Sequence, residues 1–211
     1  MGESAGGGSA ILQMAAFGGE RGPAPFAQII AQSPAAMPKA QPAPDAFSDF
    51  LAALNVSTLN EARQASSADV IRANEAQVAA APDTNYNFGP VIDGSFVPDT
   101  IGKLLSSGSY DKAVKVFSSH NSFEGGFFYD PAVRTEEDFR HWLEKSISGL
   151  ELTQKDYLTE SIYPPTFDGS LGYVDQATRQ MALWGEAVII CHFWSLNQAL
   201  EGKGYTWKFR T

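Results

Sequence analysis

Apolar residues recur every three to four positions through much of the chain, with short unbroken apolar runs between these stretches. Residues 5–17 place Ile11, Met14 and Ala15 on one helical face, and the pattern stops at Gly18-Gly19. Residues 26–32 (FAQIIAQ) form a short run that reads as a buried strand. Pro34, Pro38, Pro42 and Pro44 make residues 33–45 too proline-rich for a helix, so an extended surface segment is expected there. Asp45 is placed to cap a short helix holding Phe47, Phe50 and Leu51. Residues 57–63 and 66–80 predict two more helices, giving a helical insertion over about 45–81. A further helix is expected from Val97 through Leu105, and residues 112–119 (KAVKVFSS) alternate as a strand. Thr135 opens a helix with Phe139, Trp142, Leu143 and Ile147 at core spacing, and Asp138 is placed to return the cap. Another covers 153–161 and is broken by Tyr163-Pro164-Pro165; a long one runs over 172–200, so about 135–200 is a helical region. Residues 205–210 (YTWKFR) read as a last strand. Strands alternating with helices predict an α/β fold, a central mostly parallel sheet with helices on both faces.

Composition narrows the function. At 211 residues and 44% hydrophobic content, residues 1–211 are read as a single domain with enough apolar content for a core. A formal charge of -9, with no basic stripe, argues against nucleic acid as a partner. The longest apolar stretch, around Ala187 to Trp194, is too short to span a bilayer. No signal peptide is visible. One cysteine, Cys191, cannot form an internal disulfide, and three scattered histidines (His120, His141, His192) supply no metal-ligand set. No metal or other cofactor is expected.

The chemistry concentrates at Gly2-Glu3-Ser4-Ala5-Gly6, followed by Gly7 and Gly8. This is the G-x-S-x-G pattern of a nucleophile elbow, in which a serine sits on a strained turn between a strand and a helix. Small flanking residues let the backbone bend sharply and let the helix pack close to the sheet. The Ser4 oxygen would face a cleft, with the Ala5 N–H directed at a developing oxyanion. The pattern lies at the start of the chain, so no strand leading into Ser4 is expected. A three-position pattern in a glycine-rich terminus also arises by chance; the helix and strand that follow favour the elbow. Glu3 reads as a buried hydrogen-bonding residue. On the residues alone, Glu124 is not distinguished from Asp93 or Asp168 as an acid partner. Phe123, Phe127, Phe128 and Tyr129 either line an acyl pocket or belong to the core, while Trp142 and Trp184 read as helix packing.

Taken in order, GESAGGGSAILQM, PFAQIIAQSP, NFGPVIDGSFVPD, HNSFEGGFF, IYPPTFDGSLGYVDQ and ICHFWSLNQAL resemble the type-B carboxylesterase and lipase family, which includes cholinesterases and secreted fungal esterases. The resemblance covers almost the whole chain and implies a partial α/β-hydrolase fold, truncated at both ends. It places the nucleophile at Ser4, one oxyanion amide at Ala5 and the acid of a catalytic triad at Glu124. Phe123 stands where the family has an acid before that glutamate. It also implies a small-molecule or lipid ester substrate and, with the Asn55-Val56-Ser57 sequon, a secreted protein. In the family Cys191 pairs with a cysteine further downstream, so an unpaired thiol is expected here. The glycine pair that completes the oxyanion hole lies upstream of Ser4 in the family, and the triad histidine follows the strand matched by 205–210. On that reading none of the three histidines present is the base, and the 211-residue chain alone is expected to be inactive and to expose an aggregation-prone sheet edge. Two other readings stay open: a noncatalytic binding or adhesion relative of the same fold, which would have no need of the elbow serine, and a mostly helical interaction protein with a coincidental pattern.

Overall fold

Four strands form one sheet among the described residues (1–39, 45–80, 88–147, 150–201 and 204–209) of the computed structural model. They are β1 (Gly2–Glu3), β2 (Gln28–Gln32), β3 (Lys115–Asn121) and β4 (Tyr205–Phe209), adjacent in chain order. Every pairing is parallel, with Gly2 opposite Ala31, Ile29 opposite Val116 and Phe117 opposite Tyr205. Parallel neighbours need a crossover at each step, and helices supply them. The α/β expectation holds.

Helix α1 (Ala5–Met14) follows β1, and α5 (Ile101–Ser106) precedes β3. Between them in the chain lie α2 (Ala46–Ala53), α3 (Leu59–Gln64) and α4 (Ser67–Ala79). After β3 come α6 (Glu136–Ser146), α7 (Leu152–Asp156), α8 (Gln176–Gly185) and α9 (Cys191–Ala199). The first core sets Ile11, Met14, Ile101, Leu105 and Leu196 from α1, α5 and α9 against Ile29, Ala31 and Val116 of the sheet. On alternate sheet positions Ile30, Phe117 and Tyr205 are exposed. A second core joins Phe139, Trp142 and Leu143 of α6 to Leu183 and Trp184 of α8. Arg179, fully buried in α8, donates to Tyr163 O at 2.8 Å and Thr159 O at 2.9 Å, pairs with Glu136 and stacks on the Phe139 ring at 3.8 Å. Trp142 and Trp184 are therefore packing residues, as their spacing predicted.

Several boundaries move from their sequence positions. Two residues, Gly2–Glu3, do form a strand ahead of Ser4, because their backbones pair with Ala31 and Gln32. The first helix ends at Met14, since Phe17 and Gly18 take left-handed angles and close the chain into a tight turn. The long helix expected over 172–200 begins only at Gln176, where Asp175 and Thr178 form a capping box. A π turn at Glu186–Ile190 interrupts it; hydrophobic spacing of three to four residues reads through such a turn without a mark. A second π turn, Tyr157–Ile162, continues α7.

By residue contacts the chain divides into Met1–Pro38 with Ile92–Thr211, and Lys39–Val91. The latter holds α2, α3 and α4 around Leu51, Leu54, Ala62 and Ala73. Thr58 and Glu61 cap α3 reciprocally. Asp45 occupies the cap position of α2 but its side chain makes no capping bond, contrary to expectation; its φ of -104° and ψ of 0° lie outside the extended region that aims a capping oxygen.

Candidate active site

Ser4 joins β1 to α1 at φ 51° and ψ -120°, a conformation a residue with a Cβ adopts only when its surroundings impose it. The surroundings are backbone. Ser4 N–H donates to Gln32 O at 2.9 Å, and Ser4 C=O accepts from Gly8 N–H at 3.0 Å and Ala35 N–H at 3.1 Å. Gly8 permits the last contact, because a Cβ there would overlap the Ala35 carbonyl. A serine at a helix N-cap normally turns its hydroxyl onto the first-turn amides. Here the strained backbone prevents it, and the Ser4 hydroxyl makes no capping bond. Ala5, the first helical residue, has no intrahelical acceptor for its N–H. The local fold thus presents one hydroxyl and one amide at the positive end of α1.

Glu124 opens a short 3-10 turn, Glu124–Phe127, just beyond the carboxyl end of β3. It is buried (8% exposed) rather than a solvated loop carboxylate. Its Oε1 accepts from Ser33 Oγ at 2.8 Å and Asn121 N–H at 2.6 Å, and its Oε2 lies 3.4 Å from Asn121 Nδ2. The turn seats on α8 through glycine. A Cβ on Gly125 would overlap Met181 O, and one on Gly185 would lie 2.8 Å from Gly125 N.

The exit of β2 ties the two candidates together. Gln32 holds the Ser4 backbone, and the next residue, Ser33, holds the Glu124 carboxylate. Both groups lie past the carboxyl ends of parallel strands, where open α/β sheets bind their ligands. Sequence reasoning missed Ser33 and Asn121 as partners of Glu124. The only local signal was the Ser33-Pro34 turn after a strand.

No histidine is among the hydrogen-bond partners of Glu124 in the described residues. His120 is buried with Nδ1 2.6 Å from Asn121 O and its ring 4.4 Å from that of Phe193. His192 Nδ1 lies 2.8 Å from Val188 O, and burial holds its imidazole below the ordinary value. His141 is exposed on α6.

Residues 1–196 match the Carboxylesterase family. The chain belongs to this family. It is 39% identical over 208 residues to carboxylesterase patB of Penicillium expansum and 39% over 209 residues to carboxylesterase patB of Aspergillus clavatus. Each alignment covers 97% of this chain, which spans 37% of the length of either relative. Among solved structures, a PNB esterase superposes with a TM-score of 0.66 at 18% identity over 99% of this chain and 42% of its own. A thermophilic PNB esterase gives a TM-score of 0.66 at 18% identity over 99% of this chain and 41% of its own. At that identity these two likenesses speak for the fold.

Within this family frame some side chains lie elsewhere than the sequence suggested. Glu3 is exposed, for the two positions of β1 point to opposite faces, Gly2 half-buried and Glu3 to solvent. Of the aromatic run only Phe128 packs inward, stacked on Trp184 at 3.6 Å; Phe123 and Phe127 are exposed, Phe127 at 95%. Cys191 is a free cysteine on an exposed residue; partial burial of its thiol and the nearby Glu186 carboxylate raise its pKa. Among the described residues no group of three or more His, Cys, Asp and Glu side chains is placed to hold a metal, and no helix is long and apolar enough to cross a membrane.

Proposed function

We propose that the chain carries the nucleophile and acid of a carboxylic ester hydrolase working through a serine acyl-enzyme. Ser4 Oγ attacks the ester carbonyl carbon while a histidine takes its proton. The oxyanion that forms is held by the Ala5 N–H. Collapse expels the alcohol, which recovers the proton from the imidazolium; water then repeats the sequence and releases the acid. Glu124 orients the imidazole and stabilises its charged form without itself being protonated. The base lies outside these 211 residues, a reading supported by the separate engagements of His120 and His192. The chain by itself is therefore inactive, residual binding and the one amide leaving at most about 10³–10⁴-fold over water.

The observation that carries this reading is the strained Ser4, bridged through Gln32 and Ser33 to a buried Glu124. The substrate is a small-molecule or lipid ester, in line with the carboxylesterase name of the fungal relatives. Exposed Phe123 and Phe127 flank the acid turn and offer apolar walls for it. The protein is secreted, which the exposed Asn55 of the sequon suits. The test is a fluorophosphonate probe and p-nitrophenyl butyrate on the full-length protein. Labelling and turnover that vanish in Ser4→Ala support the proposal; a full-length protein that neither labels nor turns over is the noncatalytic binding relative instead.

A further inference from the structure

Past Glu124 the chain does not leave the sheet freely; it is laid along α8 in successive contacts. Gly125 packs on Met181 O and against Gly185, Phe128 stacks on Trp184 at 3.6 Å, and Asp130 meets Gln180. The Gln180 contact differs in kind. Its side chain is fully buried, its Oε1 accepts from Asp130 N–H at 3.0 Å, and its Nε2 donates to Asp130 O at 3.3 Å and Gln176 O at 3.2 Å. The amide occupies both polar groups of one loop residue, as a neighbouring strand would. α8 is itself fixed, because the buried Arg179 next to Gln180 is bonded to Glu136 of α6 and to two carbonyls of the segment after α7.

We propose that Gln180 is a positioning residue for Glu124, holding residues 124–130 on α8 so that the carboxylate keeps its place at the exit of β2. The physical basis is twofold. A buried amide with three bonds made fixes the loop it serves, and losing it leaves the Asp130 N–H and C=O without these partners. An acid displaced by a fraction of an ångström orients its base poorly, and misplacements near 1 Å lower rates about 100-fold. The proposal rests on Glu124 being the triad acid.

The experiment is a double-mutant cycle in the full-length protein, read as kcat and KM for p-nitrophenyl butyrate and as the rate of fluorophosphonate labelling of Ser4. Gln180→Met keeps length and removes the bonds; kcat and labelling rate fall about tenfold with KM within about twofold. Gln180→Asn keeps a buried amide one methylene short and is expected to fold with an intermediate loss. In a Glu124→Gln background the same two changes lower kcat no further, since the residue they act through has already lost its function. Losses that add fully to that of Glu124→Gln, or Gln180 variants with unchanged kcat, overturn the role of Gln180. A Glu124→Gln variant with full activity, or a wild type that does not label, overturns instead the reading of the site.

Discussion

Ser33 Oγ donates to Glu124 Oε1 at 2.8 Å, across 91 positions of sequence. The bond depends on an unusual backbone, for Ser33 is a non-glycine residue at φ 44° whose N–H is committed to Ser119 O at 2.7 Å. Two substitutions separate the hydroxyl from the backbone. Ser33→Ala and Ser33→Gly both remove the donor, and each is expected to lower kcat of the full-length protein about tenfold. Glycine relieves the left-handed strain that alanine keeps, so Ser33→Gly is expected to be more stable by about 1 kcal/mol. Steady-state kinetics and urea unfolding of the pair measure both effects. Equal kcat in wild type and both variants would remove Ser33 from the site.

Ser4, the nucleophile proposed above, is also a strained residue. Holding a serine at φ 51° and ψ -120° costs roughly 1–3 kcal/mol, and the fold imposes it through the bonds to Gln32, Gly8 and Ala35. Ser4→Gly is expected to raise the unfolding free energy by about 1 kcal/mol while abolishing fluorophosphonate labelling. Ser4→Ala abolishes labelling without that gain. A Ser4→Gly variant less stable than wild type would show that the elbow stores no strain.

How much of this was legible in the sequence follows from what each feature depends on. Helix α6 was readable because Thr135 and Asp138 form their capping box locally and Phe139, Trp142 and Leu143 repeat at helical spacing. The elbow was readable because close backbone approach demands glycine within the pattern at Gly2, where a Cβ would overlap the Gly6 carbonyl, and again just after it at Gly8. The strand β1 was not, since two residues carry no periodicity and form a strand only by pairing with β2. Glu124 was singled out by family resemblance alone; its distinction from Asp93 lies in Ser33, a partner 91 positions away at the exit of β2 that no local pattern announces. Asp93 instead closes its own turn, bonding the N–H groups of Ser95 and Val97. Ser33 stayed hidden for a similar reason, because a left-handed serine is set by tertiary bonds and leaves no glycine in the sequence. The π turn at Glu186–Ile190 escaped because Trp184, Val188 and Cys191, which run through it, still fall three or four apart.

The glycines after Ser4 are expected to respond in opposite directions. A Cβ on Gly6 meets nothing within 4 Å, and the residue is helical, so Gly6→Ala should stabilise by about 0.5–1 kcal/mol. Gly8→Ala drives a methyl into the Ala35 carbonyl and should destabilise by about 2–3 kcal/mol, with loss of labelling as the Ser4–Ala35 bond opens. Thermal melts with labelling check both. A neutral Gly8→Ala would mean that α1 does not press on the β2 exit.

His192 links stability to pH. Burial disfavours its charged form and outweighs the Val188 carbonyl that favours it, so the folded protein holds the imidazole below its ordinary value. The unfolded chain then protonates first as pH falls. The neutral imidazole therefore contributes fully above about pH 6.5, and its contribution is lost as pH falls from there through the folded value. Unfolding midpoints are expected to decline between about pH 7 and 5, with a shallower decline in His192→Met. Parallel curves for the two proteins would assign the decline to other groups.

Asn55 offers the test of secretion. It follows α2 in a left-handed turn at φ 57°, its N–H bonded to Ala52 O at 3.0 Å, and is exposed. Ser57, the third sequon position, is exposed too, its N–H held by Glu61 Oε2 at 2.7 Å within the α3 cap. A glycan on Asn-X-Ser/Thr is bulky and needs a surface position, and asparagine tolerates the left-handed turn better than most residues. Full-length protein made in a eukaryotic secretory host is expected to shift on glycosidase treatment. If Asn55 is the acceptor, Asn55→Gln and Ser57→Ala each remove the same increment, whereas Ser57→Thr keeps it. A protein that reaches the medium with an increment unchanged by Asn55→Gln would show that this turn is not glycosylated, and one retained in the cell would count against secretion itself.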